Sequence, residues 1–160
     1  METHLYILKN ITENSVTLEE HIENNPTPPE GYWGHIYLTY CEPEDKYYLG
    51  KKQYYNTITK KLGKKEIAAL PKTRGRQKLT KQVITESDWK TYYGSHPIVK
   101  KWVINYKPEE ITRSIIKLCK NKKELTYFEN KYLYSLGVIE PGSKFINDNI
   151  SGTIFTKDFL

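Results

Sequence analysis

Residues 33–55 read WGHIYLTYCEPEDKYYLGKKQYY. From Trp33 to Cys41 the residues alternate, with Ile36, Leu38 and Tyr40 on one face and His35, Tyr37, Thr39 and Cys41 on the other. Glu42-Pro43-Glu44-Asp45 supplies a turn, and Lys46 to Gly50 returns, so the stretch predicts a β-hairpin. Pairing Cys41 with Lys46 sets Tyr37 opposite Gly50 and Tyr48 opposite Thr39. Tyr37 and Tyr48 then become diagonal neighbours on one face, roughly 7–8 Å apart. Gly50 carries no side chain, so a bare patch of backbone is expected beside Tyr37, open to a bulky substrate. Taken alone, two phenols among fourteen tyrosines read first as aromatic residues packing a sheet.

A chain of 160 residues suits one domain with a modest core. No apolar run approaches the ~20 residues of a membrane span, and the polar start Met1-Glu2-Thr3-His4 does not read as a signal peptide. Cys41 and Cys119 make neither a disulfide framework nor a zinc site, which fits a reducing cytoplasm. Charge is unevenly spread. Residues 1–47 net −7, residues 51–107 net +12 and residues 108–160 net +1. The central block, with Tyr54, Tyr55, Trp89, Tyr92, Tyr93 and Trp102 among its lysines, is an electrostatic footprint for a polyanion. A solvated lysine-rich face is common for a few lysines but fits fifteen Lys/Arg interleaved with these aromatics less well. An anionic membrane fits less well, because no helix with a large apolar face accompanies the charge.

Residues 1–11 suggest a short strand. Thr17-Leu18-Glu19-Glu20 fits a capping box that opens a short helix. Pro26, Pro28 and Pro29 then make a loop, closing an acidic extension over residues 1–30. A domain over 31–160 follows, with a basic insertion at 56–86 that contains Lys72, Arg74, Arg76 and Lys78. That insertion reads as a loop contacting DNA, or as a solvated loop. Ser95 is the expected cap of a helix that starts near Pro97 and ends by Pro108, with Ile98, Trp102, Ile104 and Tyr106 inward and Lys100 and Lys101 outward. Residues 111–119 alternate as a third strand. Asn121 caps a helix to about Leu136 whose inward stripe is Leu125, Phe128, Tyr132, Leu133 and Leu136. Glu129 falls on or beside that stripe and needs a partner, either within a second capping box with Thr126 or in a lysine such as Lys131 or Lys52.

His35-Ile36-Tyr37, ten intervening residues, and Tyr48-Leu49-Gly50 resemble the two tripeptides of the GIY-YIG nucleases, with His35 and Leu49 replacing a Gly and an Ile. Together with SDWKTYYGS at 87–95 and YLGKKQ at 48–53, they resemble the phage Seg-like branch of homing endonucleases. The resemblance implies an α+β fold, a small three-stranded antiparallel sheet flanked by helices. It implies a DNA endonuclease that hydrolyses phosphodiester bonds in double-stranded DNA, in the host cytoplasm if phage-encoded. One Mg²⁺ (or Mn²⁺) is expected, with no small-molecule cofactor, held by Glu129 on the helix after the third strand. Tyr37 would be the base or water-positioner, Tyr48 its support, His35 an assistant in proton transfer, and Asn149, with Asn147 as the fallback, a residue that orders the site. The family's arginine on its first helix has no counterpart at the expected distance, where Ile58 stands. Lys52 and Lys90 are the first candidates for that cation, ahead of Arg74, Arg76 and Arg113. Lys51, Lys72, Arg74, Arg76, Lys78, Lys100 and Lys101 are the expected DNA contacts. The missing arginine and the His35 replacement leave an alternative: a nucleic-acid-binding protein on the same fold that does not cut.

Overall fold

The computed structural model describes residues 2–159. Its centre is the hairpin of β2 (Gly34–Cys41) and β3 (Lys46–Gln53), joined by the turn at 42–45, where Asp45 takes a positive φ of 49°. The register is the expected one, with Tyr37 opposite Gly50 and Thr39 opposite Tyr48. β6 (Ile111–Cys119) pairs antiparallel with the other edge of β2. Its register shifts between Ile36 and Tyr37, so a β-bulge lies directly beside the first phenol. The expected three strands gain a fourth. β1 (Val16–Thr17) adds two residues beyond β6, giving the order β1-β6-β2-β3.

The start of the chain differs from expectation. Residues 2–13 form a helix, α1 (Glu2–Glu13), and among the described residues no strand precedes Val16. Ile7, Leu8 and Ile11 pack on the core at helical spacing, a period that reads as alternation in so short a window. α2 (Leu18–Asn24) is capped by Thr17, whose hydroxyl accepts from the Glu20 amide at 3.2 Å. Leu18 and His21 of α2 are both buried, so the acidic preface contributes to the interior.

The hairpin is covered on both faces. Ile36, Leu38 and Leu49 pack under α5 (Lys122–Ser135) through Leu125 and Leu133. Asn121 caps α5 by accepting from the Glu124 amide at 2.9 Å, and Gly137 (φ +56°) ends the segment. The phenol face packs instead against Tyr54, Trp89, Leu18 and Tyr92. α4 (Pro97–Asn105) closes one end of that face with buried Val99 and Trp102. Its cap is His96 rather than Ser95: the ring Nδ1 accepts from the Ile98 amide at 3.1 Å. Ile98 and Ile104, expected inward, are exposed, because the kept stripe is Val99 and Trp102.

The basic insertion is not a plain loop. One residue after β3, β4 (Tyr55–Lys61) begins; it pairs antiparallel with β5 (Thr80–Glu86), with the short α3 (Lys64–Ala68) between them. The tail adds β7 (Asn149–Ile150) and β8 (Ile154–Phe155). Cys41 and Cys119 are buried free thiols. Among the described residues no helix is long and apolar enough to cross a membrane.

Candidate active site

Alternation alone fixes which side chains meet. His35, Tyr37, Tyr48, Gly50 and Lys52 share one face of the hairpin. The Tyr37 and Tyr48 rings stand 6.2 Å apart between centroids. The open patch expected at Gly50 is filled by Tyr37 itself: a Cβ on Gly50 would lie 2.6 Å from Tyr37 Cζ and collide with the hydroxyl. Gly50 therefore makes room for a phenol of the protein, and substrate does not approach there. Tyr37 is only 5% exposed, enclosed by Tyr48 and by Tyr92, whose ring meets it edge-on at 6.0 Å. Burial drives its phenol well above the ordinary value, and the nearby Tyr48, Tyr92 and Glu129 push in the same direction.

Tyr48 is the phenol that reaches solvent. It lines a cleft of about 420 Å³ with Ser95, His96, Glu129, Asn147 and Asp148. The cleft lies at the outer edge of β3, between the N-terminus of α4, the middle of α5 and the tail. Burial also raises Tyr48, and the Glu129 charge adds to the effect, while hydrogen bonding with Ser95 and Tyr37 opposes it. Glu129 lines the same cleft as Tyr48. Its own carboxyl is raised by burial, against the pull of Lys51. The Lys51 ammonium sits 3.6 Å from Glu129 Oε1 and also donates to Thr126 Oγ1. Lys51 therefore points away from the phenols, as alternation requires, and serves as partner to the glutamate in place of Lys131 or Lys52.

Lys52 lies on the phenol face, with its ammonium 3.9 Å above the Tyr92 ring and 2.5 Å from Asp88 Oδ1. Lys90 donates to the Pro26 carbonyl on the proline loop. Arg113 stacks on Tyr93 and pairs with Glu19 at 2.8 Å. Each of these cations already has a partner. Lys100 and Lys101 are exposed on α4, about one turn beyond Pro97, which also lines the cleft, and neither has a carboxylate partner among the described residues. Lys72, Arg74, Arg76 and Lys78 stand exposed on the β4–β5 tip.

His35 is 2% exposed among Tyr37, Tyr54, Trp89 and His21. Burial, with smaller contributions from His21 and Lys52, lowers its pKa to about 3. A ring held neutral and sealed from solvent is a packing element at neutral pH. The two asparagines also divide their work. Asn147 accepts from the Leu49 amide at 3.0 Å and donates to the Leu49 carbonyl at 2.9 Å, closing the free edge of β3 beside Tyr48. Asn149 accepts from the Gly152 amide and donates to Asp148, which is turn chemistry within the tail.

His96 is not marked out by any spacing or motif in the sequence. With Nδ1 engaged at the helix cap, its Nε2 faces Asp148 at 3.7 Å, and the ring stands 5.8 Å from Tyr48. The only local hint is its place just before Pro97, a helix-start position.

Tyrosines from two adjacent strands, backed by a glutamate on the helix after the third strand, form a GIY-YIG-type nuclease fold. A family model described as "Putative endonuclease segE, GIY-YIG domain" matches residues 17–150, and the chain belongs to that family. No curated protein and no solved structure matches the chain.

Proposed function

We propose that the protein is a divalent-metal-dependent endonuclease that hydrolyses phosphodiester bonds of double-stranded DNA, of the phage homing type. The observation that carries this reading is the convergence of Tyr48 and Glu129, far apart in sequence, on one polar cleft backed by Tyr37. The donor set suits one hard cation. Glu129 would be the acidic ligand, Asp148 and Ser151 would offer further oxygens in the same cleft, and the cleft has room for the waters that Mg²⁺ retains. Mg²⁺ (or Mn²⁺) held there would supply charge stabilisation for the phosphate.

The chain's own groups divide the rest. Tyr37 stays a protonated phenol at neutral pH, so it acts from behind by orienting Tyr48. Tyr48 positions the attacking water or a phosphate oxygen at the cleft wall. With Nδ1 accepting at the helix cap, His96 Nε2 carries the ring's N–H and can donate a hydrogen bond to a phosphate oxygen at that wall, beside Asp148. Asn147 holds the Leu49 backbone and thereby the strand that carries Tyr48. Lys100 and Lys101, exposed and without a carboxylate partner on the helix whose start lines the cleft, are the candidate cations for the phosphate, and Lys52 becomes available only if Asp88 releases it. The ribbon-tip cations Lys72, Arg74, Arg76 and Lys78 contribute affinity for the DNA backbone.

Supercoiled plasmid with Mg²⁺ tests the reading. The wild type nicks or linearises it, whereas Glu129→Ala and Tyr48→Phe do not, and both variants still bind duplex. Cleavage by both variants overturns the assignment. The second reading, binding without cutting, is favoured by Lys51 neutralising Glu129 and by Asp88 engaging Lys52. It predicts no metal-dependent nicking by the wild type.

A further inference from the structure

β4 and β5 pair over seven positions, from Tyr55–Glu86 to Lys61–Thr80, in a sheet of their own. Neither strand contains a buried residue. An isolated two-stranded ribbon is marginal in water, so this one is held from its root. Tyr54, the single residue between β3 and β4, is fully buried, and its amide donates to the Trp33 carbonyl at 2.8 Å. Ser87, just after β5, donates through its amide to Tyr54 O and through its hydroxyl to Gln53 O. The ribbon thus leaves the phenol-bearing strand with one residue of connection.

The two faces differ. α3 reaches across the face carrying Lys81, pairing Glu66 with it at 2.8 Å. The opposite face carries Thr57, Ile84, Thr59, Gln82, Lys61 and Thr80 and is open. Ile84 is 61% exposed there. Residues 55–86 hold nine Lys/Arg and two Asp/Glu, a net +7, while the whole chain nets +6 and the remainder therefore −1. All of the protein's excess positive charge sits on this projection.

We infer that the β4–β5 ribbon enters the major groove of duplex DNA with its open face toward the bases. Gln82 and Thr59, directly paired across the ribbon, meet base edges; Ile84 meets a thymine methyl; Lys61, Lys72, Arg74, Arg76 and Lys78 meet phosphates. This inference rests on the proposed reading that the substrate is DNA, and it adds where sequence is read. The dimensions select the groove. A ribbon of two strands ~4.8 Å apart plus side chains fits the B-form major groove, about 12 Å wide, but not the minor groove of about 6 Å. The deep, narrow major groove of duplex RNA excludes it. Glutamine pairs bidentately with adenine, and threonine serves either as hydrogen-bond partner or as methyl contact.

The test measures binding by fluorescence anisotropy in the Glu129→Ala background, which separates grip from cleavage, and determines preferred sites by selection from a random duplex pool. Arg74→Ala/Arg76→Ala lowers the slope of log K against log[salt] by about 2, roughly 0.9 per phosphate contact, equally for all sequences. Gln82→Ala/Thr59→Ala keeps that slope and flattens the preference at one or two base pairs by roughly 10-fold. An unchanged slope in the first variant, an unchanged preference in the second, or equal competition by duplex RNA overturns the inference. The two readings fail separately. A ribbon-independent affinity sinks the groove assignment and leaves the nuclease intact. A wild type that never nicks sinks the nuclease and leaves the ribbon's binding results standing.

Discussion

The molecule contains two antiparallel hairpins of nearly equal length, separated by Tyr54 alone, and their surroundings are opposite. β2–β3 is covered on both faces by aliphatic and aromatic side chains. β4–β5 has no buried residue on either face. Backbone pairing is the same in both, so pairing does not explain the difference; side chains do. Ile36, Leu38 and Leu49 give the first hairpin a face that must be buried, and its tyrosines give it a second. The second hairpin is mostly threonine, lysine and glutamine, and beyond Tyr55 at its root its few apolar side chains, among them Ile58 and Ile84, stay exposed. The first holds its tyrosines in a packed arrangement. The second remains free to be covered by something else.

The sharpest way to break this contrast is to remove the acidic group at the edge of the first hairpin. Glu129→Ala is expected to reduce plasmid nicking by roughly 100-fold or more, the range seen when a preorganised charge-stabilising group is lost, with duplex affinity unchanged. Equal loss of affinity would mean that the cleft and the ribbon are one binding surface.

Gly50→Ala tests how tightly the first hairpin is filled. The added methyl collides with Tyr37, so the variant is expected to lose about 1–3 kcal/mol of stability by overpacking and to lose nicking with it. Urea unfolding and the plasmid assay check both. A stable, active variant would return Gly50 to the role of an open patch.

His35 gives a pH signature. Its folded-state pKa, about 3, lies below the ordinary value of 6.5, so the unfolded chain binds the proton first as pH falls. Stability from this group is complete above 6.5 and is lost as pH falls toward 3. Between pH 7 and pH 5 the loss is roughly 2 kcal/mol, read from urea midpoints against pH. His35→Gln should flatten that slope. An unchanged slope would mean that the ring reaches water.

Smaller effects separate the asparagines. Asn147→Ala removes two hydrogen bonds to the β3 backbone and should cost about 1–2 kcal/mol, while Asn149→Ala should cost about half as much. Thr59→Ala, on the ribbon, should shift stability by no more than about 0.5 kcal/mol. A larger shift would show that the ribbon packs on the body after all.

The first hairpin was legible because its pattern is redundant: alternation, a proline-containing turn and the two tripeptides all impose one register. The third strand and the Thr17 and Asn121 caps were readable for the same local reason. What failed depended on distant partners. Residues 2–13 became a helix because Ile7, Leu8 and Ile11 face a core that only the folded chain creates. Gly50 looked open because the ring that fills it comes from the neighbouring strand. Lys52 and Lys90 ranked first as cations, and only the fold brings Asp88 and the Pro26 carbonyl to them. His96 and the role of Asn147 depend on the tail folding back over β3, a long-range closure with no local sequence mark.

Tyr54 has a mechanical consequence. Its ring is locked in the interior, its hydroxyl lies 2.9 Å from His21 Nε2, and its backbone is tied to Trp33 and Ser87. A projection mounted on so short and stiff a root works as a ruler. On the proposed reading, with the tip gripping a double helix, the distance to the scissile bond would be set by the length of the ribbon. Lengthening β4 and β5 by one matched pair should move the cut along the DNA by a fixed step.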